Sequence, residues 1–213
     1  MLCGKSLKNY VYNFRRSRRF RQDISYSLSR RVFARAGAYC FPTREPGGTS
    51  IGEQVREILN DLKNTEMIPR TETLLFQAAR AQFVEEVIKP RLTDGEIVIS
   101  DRYADSTIAY QGYGHQQDLV QIHALIEYAT GGLLPDLTVY LDVEVEVGLK
   151  RKKKDDEWNR LDAYTVEFHR RVRSGYLKMA ESERWVVVDA SRGWDEVQEN
   201  LKEKIIERLK GDE

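Results

Sequence analysis

Three short apolar segments limit the folds open to this chain of 213 residues. They are EIVIS at 96–100, DLTVYLDV at 136–143 and RWVVVDA at 184–190. The segments between them carry apolar residues with helical spacing. Strands that are apolar throughout and alternate with helices are typical of a parallel sheet covered on both faces. We therefore predict an α/β protein with three layers, α/β/α.

A charged helix is predicted between the second apolar segment and the basic segment that begins at Lys150, and five further segments carry the helical pattern. They are 49–62, where Ile51, Val55, Ile58, Leu59 and Leu62 share one face, then 71–92, 118–130, 163–180 and 194–209. Thr71 is predicted to be the N-cap of the second helix, which should end near Pro90. The third helix should stop at Gly131.

The residues that follow the predicted strands are the first candidates for chemistry. Ligands of open parallel sheets bind at the carboxyl ends of the strands. Asp101 and Arg102 follow the first apolar segment, whereas Asp142 and Asp189 end the other two. Asp101 could hold Mg²⁺ and Arg102 could bind a phosphate. A structural ion pair between the two is the alternative.

Two further patterns suggest a nucleotide site. In PTREPGGTSIGE, Gly47 and Gly48 permit a tight turn beside a ligand, and Arg44 offers donors to a phosphate. Thr49 or Ser50 could cap the helix that follows. On the second predicted helix, Phe76 and Arg80 lie one turn apart, so they could stack on a base and bond its edge.

Each of these patterns also has a purely structural interpretation. The glycine pair could belong to an ordinary strand–turn–helix connection. Phe76 could be a core residue and Arg80 a solvated charge. The basic segment KRKKKDDEWNRLD (150–162) could be a mobile lid over a polyphosphate, or simply a solvated run of charge. The three histidines show no spacing typical of metal ligands.

The N-terminal segment differs from the rest of the chain. The net charge of the whole is zero, yet residues 1–41 contain ten Lys or Arg and a single acid, Asp23. Both cysteines, Cys3 and Cys40, also lie there, which argues against a disulfide framework and favours a cytoplasmic protein. No apolar run is long enough to cross a membrane. We divide the chain into an anomalous basic leader, 1–41, and a catalytic domain, 42–213.

Taken together, TREPGGTSIGEQVREIL, TETLLFQAARAQF, IVISDRYADSTIAYQG and LLPDLTVYLDV resemble bacterial thymidylate kinases in order and spacing. The resemblance extends from about Pro42 to the C-terminus. It implies a P-loop NTPase fold and transfer of the γ-phosphoryl of ATP to dTMP, giving dTDP, with Mg²⁺ as cofactor. It also implies a homodimer, with no nucleic-acid or membrane partner.

The resemblance assigns roles to residues by position. Phe76 would stack on thymine, Arg80 would bond the base edge, and Arg44 and Arg102 would hold the dTMP phosphate. Asp101 would stand by the metal and the reacting phosphates. The remaining substrate and ATP contacts would come from Glu45, Ser106, Thr107, Tyr110, Gln111, the lid residues Arg151 and Arg160, and the adenine-side residues Ala190 and Ser191. Asp162 stands where relatives often carry Glu.

One part of the family pattern is missing from the sequence. A P-loop kinase opens with a strand, the motif G-x-x-x-x-G-K-[ST] and a helix, and this chain contains no such motif. Codons permitted for the leader can be chosen so that a reading one base later gives GPEGSGKT followed by a helical segment. We therefore hypothesise that residues 1–41 are translated out of frame, with the change of frame near Cys40 and Phe41, and that the first strand and P-loop are corrupted.

Other interpretations of the leader and of the whole chain stay open. The leader could be a mitochondrial transit peptide or a basic arm for nucleic acid. The chain could be a deoxynucleoside kinase, or a nucleotide-binding protein without catalytic activity. For a thymidylate kinase without its P-loop, we expect poor folding or weak dTMP binding, and no kinase activity.

Overall fold

The structure is a computed structural model that describes residues 39–153 and 158–211. Its strands are β1 (Cys40–Thr43), β2 (Ile97–Ser100), β3 (Thr138–Asp142) and β4 (Trp185–Asp189). Its helices are α1 (Ser50–Asn60), α2 (Pro69–Phe83), α3 (Lys89–Thr93), α4 (Ala104–Thr107), α5 (Leu119–Thr130), α6 (Val145–Lys152), α7 (Val166–Met179) and α8 (Trp194–Gly211). The basic leader lies almost wholly outside the described residues, and so does the predicted first strand.

The strands pair in parallel, as the sequence predicts. β1 pairs with β2 from Cys40 opposite Ile97 to Thr43 opposite Ser100, and β3 pairs with β4 from Thr138 opposite Trp185. Within the described residues these are two separate two-stranded sheets. The confirmed fold class is therefore an α/β arrangement with parallel strands.

Successive side chains of β2 enter different hydrophobic clusters, which shows that helices cover both faces. Ile97 and Ile99 pack in a cluster with β3, β4 and the α8 residues Leu201 and Ile205. Val98 packs in a second cluster, with residues of α2, α5 and the segment between β2 and α5. This alternation is the period-2 geometry of a strand buried on both faces. Because side chains of β2 and β3 share the first cluster, the two sheets lie over one core.

The second predicted helix differs from expectation at both ends. It begins at Pro69 with Ile68 as N-cap, so the prediction of Thr71 as N-cap is wrong. Pro69 is favoured at this first position because the missing N–H would have no partner there. At the other end, the chain stays helical past Pro90 as far as Thr93. A π-helical turn, Val84–Ile88, changes the hydrogen-bond ladder just before the proline.

Other local predictions hold. Thr49 caps α1 by accepting a hydrogen bond from the Gly52 N–H at 2.9 Å. Gly47 and Gly48 have φ of +125° and +81°, a region that glycine enters without steric cost. Gly131, in the left-handed conformation, ends α5. A second π-helical segment, Ile108–Gly114, follows α4, and no sequence pattern predicted it.

The apolar face predicted for α1 is only partly buried. Leu59 is fully buried, whereas Ile51, Ile58 and Leu62 each expose about half of their surface. Ile68 and Leu74, at the start of α2, are exposed to a similar degree. α1 and α2 pack against each other. In the described part of the chain, no helix is long and apolar enough to cross a bilayer.

Candidate active site

A cavity of about 380 Å³ opens at the carboxyl ends of β2 and β3. Asp101 and Arg102, which follow β2, line it together with Leu141 from β3. The predicted site residues that line this cavity are Glu45, Phe76, Arg80, Asp101, Arg102, Ser106, Thr107, Tyr110, Gln111 and Arg151. The fold therefore brings together residues from β1 through α6, which are distant in sequence.

Four predicted site residues do not line the cavity. The Arg44 guanidinium donates to both carboxylate oxygens of Glu53 at 3.0 and 3.1 Å, and the pair is partly exposed. Arg160 is buried and bonded to protein groups. Ala190 and Ser191 lie beside Arg151, whose guanidinium donates to their carbonyl oxygens at 2.7 and 2.8 Å. The roles assigned to these four residues by resemblance stay predictions.

Glu45 is a buried carboxylate on the cavity wall. Its Oε2 accepts a hydrogen bond from Arg80 Nε at 2.8 Å, whereas its Oε1 is buried and has no hydrogen-bond partner among the described residues. Its backbone N–H donates to Asp101 Oδ1 at 3.4 Å. Burial raises the pKa of Glu45, and the nearby Asp101 charge adds to that rise, although Arg80 opposes both. Two carboxylates thus meet at this end of the cavity.

Arg80 is held by the protein through its whole guanidinium. Nη1 donates to Gln77 Oε1 at 3.1 Å and to Thr107 Oγ1 at 2.9 Å, and Nη2 donates to the Tyr103 carbonyl at 3.2 Å. Nε donates to Glu45 Oε2 at 2.8 Å, and Nη2 lies 2.8 Å from the same oxygen. All five N–H groups of the Arg80 guanidinium are therefore directed at protein acceptors. Arg80 must give up one of these bonds to donate to a base.

The opposite wall carries a tyrosine held by aromatic packing. The Arg102 guanidinium lies 5.0 Å from the Tyr110 ring centroid, and its Nη2 is 3.4 Å from the hydroxyl oxygen. The Tyr110 ring makes edge contacts with Phe168 and Tyr176 of α7. The Tyr176 hydroxyl donates to Ser106 Oγ at 3.0 Å. Tyr110 and Ser106 are thereby fixed before any ligand enters.

The structure reveals a buried charge network that the sequence interpretation missed. Glu72, on α2, is completely buried. Its Oε1 accepts hydrogen bonds from Gln111 Nε2 at 2.8 Å and from His115 Nε2 at 3.1 Å. Its Oε2 accepts from the Tyr164 hydroxyl at 2.8 Å and from an Arg160 Nη2. Burial alone would raise the pKa of Glu72, but these hydrogen bonds and the Arg160 charge lower it to about 2.

Several lining residues were also missed. They are Pro46, Arg56, Asn60, Tyr140, Leu141, Val143, Val145, Gly148, Leu149, Lys152, Asn159 and Leu161, and Asp162 lines the cavity as well. Arg56 lies on α1 and donates to the Pro46 carbonyl at 2.8 Å. Its place one turn before the end of a helix that follows the glycine pair could have drawn attention to it. The hydrophobic members carry no local sequence signal that separates them from core residues.

An arginine-rich cavity with carboxylates and an aromatic ring, at the carboxyl ends of parallel strands, is typical of a nucleotide-binding α/β protein. The sequence model described as "Thymidylate kinase" matches residues 25–201. The thymidylate kinase of Roseiflexus castenholzii is 52% identical over 174 residues, covering 75% of this chain and 76% of that protein. That of Carboxydothermus hydrogenoformans is 50% identical over 155 residues, covering 73% and 76%. That of Herpetosiphon aurantiacus is 47% identical over 193 residues, covering 78% and 82%.

The chain belongs to the thymidylate kinase family. Enzymes of this family are P-loop NTPases that convert ATP and dTMP to ADP and dTDP. The matched segment begins at residue 25, which lies inside the leader that the sequence predicts to be anomalous.

Proposed function

We propose that this chain is a thymidylate kinase by descent, and that the cavity at the ends of β2 and β3 is its dTMP site. The observation that carries the proposal is the meeting of Phe76 and Gln111 with Asp101 and Arg102 in one cavity. A ring and an amide suit a base, whereas a guanidinium suits a phosphate. In the reaction, an oxygen of the dTMP phosphate attacks the γ-phosphorus of ATP, and ADP leaves.

Several of the predicted site residues have a role in this proposal. Phe76 stacks on thymine, and Ser106, Thr107 and Gln111 surround the nucleoside. Arg102 binds the dTMP phosphate, with Tyr110 packed beside the sugar. Arg151 and Arg160 are assigned to the ATP side, where Arg151 lies beside Ala190 and Ser191. Phosphoryl transfer depends on positioning and charge neutralisation, which these groups supply.

The residues present also fit Mg²⁺. Mg²⁺ is commonly held by one or two carboxylates together with substrate phosphates. Asp101 lines the cavity, and the buried Glu45 Oε1 beside it lacks a partner among the described residues. In this proposal Asp101 would be the metal-side carboxylate, and Glu45 would be the second carboxylate near the ion. When bound, the ion would neutralise charge on the phosphates.

The chain as written is proposed to lack kinase activity. The loop whose N–H groups and lysine hold the ATP phosphates is missing from the sequence. A reading one base later, with codons chosen among those permitted, would supply it. Because the family match starts at residue 25, we now place the proposed change of frame before that residue rather than near Cys40 and Phe41. Sequencing the genomic DNA across these codons tests the proposed change of frame. An unbroken reading frame would favour a nucleotide-binding protein without catalytic activity.

A homodimer in the cytoplasm is proposed as the working state. The half-exposed Ile51, Ile58 and Leu62 of α1, with Ile68 and Leu74 of α2, support it. Exposed apolar side chains grouped on packed helices are typical of subunit interfaces. Sedimentation at micromolar concentration should give twice the monomer mass of 24.8 kDa. A monomer at all concentrations would count against this assignment.

Replacing Arg102 by alanine tests the proposed phosphate contact. We expect Arg102→Ala to weaken dTMP binding at least about tenfold, because a charge-assisted hydrogen bond is worth roughly 1.5–3 kcal/mol. Thymidine, which has no phosphate, should bind the variant and the unsubstituted chain equally. Titration calorimetry with both ligands measures the difference.

Arg170→Ala is the matched control, because Arg170 is exposed and pairs with Glu146. It should leave both affinities unchanged. If the unsubstituted chain binds thymidine more tightly than dTMP, the deoxynucleoside kinase interpretation replaces the present one.

A further inference from the structure

The amide of Gln111 is oriented by a carboxylate that has no contact with the cavity. Gln111 lines the cavity, and its Nε2 lies 2.8 Å from Glu72 Oε1. An ionised carboxylate can only accept hydrogen bonds, so the Gln111 group that faces it must be the NH₂. The low pKa of Glu72 keeps that carboxylate ionised. The oxygen and nitrogen of a side-chain amide are hard to tell apart from atom positions alone, but the Glu72 carboxylate requires the Gln111 nitrogen to face it.

Because the Gln111 NH₂ donates to Glu72, the carbonyl oxygen of the same amide is the group that can face the cavity. Gln111 Oε1 accepts no hydrogen bond from the described residues, and it is not among their buried atoms without a partner. Because Gln111 lines the cavity, this oxygen is the acceptor that the side chain can offer there. The cavity wall thus presents a hydrogen-bond acceptor of fixed position.

We propose that Glu72 is a positioning residue that sets base specificity, by holding the Gln111 amide with its oxygen toward the base. This inference rests on the proposed dTMP site. Thymine carries an N–H donor at N3, which satisfies this acceptor. Cytosine carries a lone pair at N3, and two acceptors facing each other leave both without a donor.

The other polar groups near the proposed base position do not distinguish thymine from cytosine. The donors of Arg80 are all directed at protein acceptors. Thr107 Oγ1 accepts from both Arg80 Nη1 and Gln77 Nε2, so its own hydrogen remains to donate, and a hydroxyl can serve either base. Among these cavity groups, the Gln111 oxygen can accept but not donate.

Glu72→Gln breaks the orientation without changing the size of the side chain. Glutamine can donate as well as accept, so the Gln111 amide is free to turn over. We expect the ratio of dTMP to dCMP affinity to fall about tenfold, as expected when a site loses a fixed hydrogen-bond partner. The measurement is the dissociation constant of each nucleotide for the full chain, by calorimetry at 10 °C.

A double-substitution cycle separates this effect from general damage. In a Gln111→Leu background, Glu72→Gln should leave the dTMP to dCMP ratio unchanged, because the residue through which Glu72 acts is gone. Asp105→Asn is the control for disturbing a buried carboxylate. Asp105 is bound by Arg184 and Thr138 away from the cavity, so this variant should lose stability and keep the ratio.

Two results would overturn the inference while dTMP still binds: an unchanged ratio in Glu72→Gln, or an equal fall in the Gln111→Leu background. Should Glu72→Gln fail to fold, Glu72→Asp takes its place, because it keeps the charge but shortens the side chain that holds the Gln111 amide. An unchanged ratio of dTMP to dCMP affinity in that variant overturns the inference. Failure of the unsubstituted chain to bind dTMP would instead overturn the proposed function, and this inference with it.

Discussion

A protein translated with GPEGSGKT ahead of β1, from a gene shifted by one base before residue 25, is expected to phosphorylate dTMP on the order of 10³-fold faster than the chain as written. The reason is that the loop N–H groups and the lysine neutralise charge that develops on the ATP phosphates. A coupled assay of ADP formation, at equal concentrations of folded protein, measures the ratio.

The matched control is the same restored protein with alanine in place of the loop lysine. It should fold as well as the restored protein and lose most of the gain in rate. Comparable turnover by the chain as written would show that the lid arginines, among them Arg151, replace the loop, and our proposal of inactivity would then be wrong.

Glu72→Gln is expected to lower the free energy of unfolding by about 3–5 kcal/mol at neutral pH, the typical cost of leaving a buried charge without its partner. The charge left behind is Arg160, which is buried and bonded to Glu72. Urea denaturation of the two proteins at pH 7 gives the difference. Tyr164→Phe keeps the Glu72 charge and removes two hydrogen bonds, the one from the Tyr164 hydroxyl to this carboxylate and the one that the hydroxyl accepts from Arg160 Nη1. It should cost less, roughly 1.5–3 kcal/mol.

The same carboxylate predicts a pH dependence of stability. The pKa of Glu72 is lowered from 4.5 to about 2 on folding, so the unfolded chain binds more protons in this range. The stabilisation is therefore complete above about pH 4.5 and is lost as pH falls toward 2, and it amounts to roughly 3 kcal/mol. In Glu72→Gln this contribution should vanish. Parallel pH curves for the two proteins would mean that Glu72 does not titrate as described.

The sequence predicted the features that depend on neighbours in the chain. The strands β2, β3 and β4 follow from the three apolar segments, whereas β1 was not predicted. The position of Asp101 and Arg102 at the end of β2 follows from the topology of such sheets. The Gly47–Gly48 turn and the Thr49 cap depend on local backbone geometry and were confirmed. Local geometry also misled, because Thr71 resembles an N-cap although Pro69 already begins the helix.

What the sequence could not predict depends on contacts between distant residues. Glu72 is an unremarkable acid within TETLLF, and its partners Gln111, Tyr164 and Arg160 lie 39, 92 and 88 positions away. Arg160 belongs to a basic segment that is typical of solvated charge, yet it is buried by this network. No periodicity within one helix shows which of its charges will be paired inside the fold.

The Glu72 network also joins the cavity wall to the segment predicted to be a lid. One of its oxygens holds Gln111, on the proposed nucleoside side, and the other holds Arg160, within the predicted lid segment, and Tyr164, just after it. If one nucleotide shifts this shared carboxylate, thermodynamic linkage requires the two affinities to change together. The factor by which dTMP alters ATP binding must then equal the factor by which ATP alters dTMP binding, in whichever order they arrive.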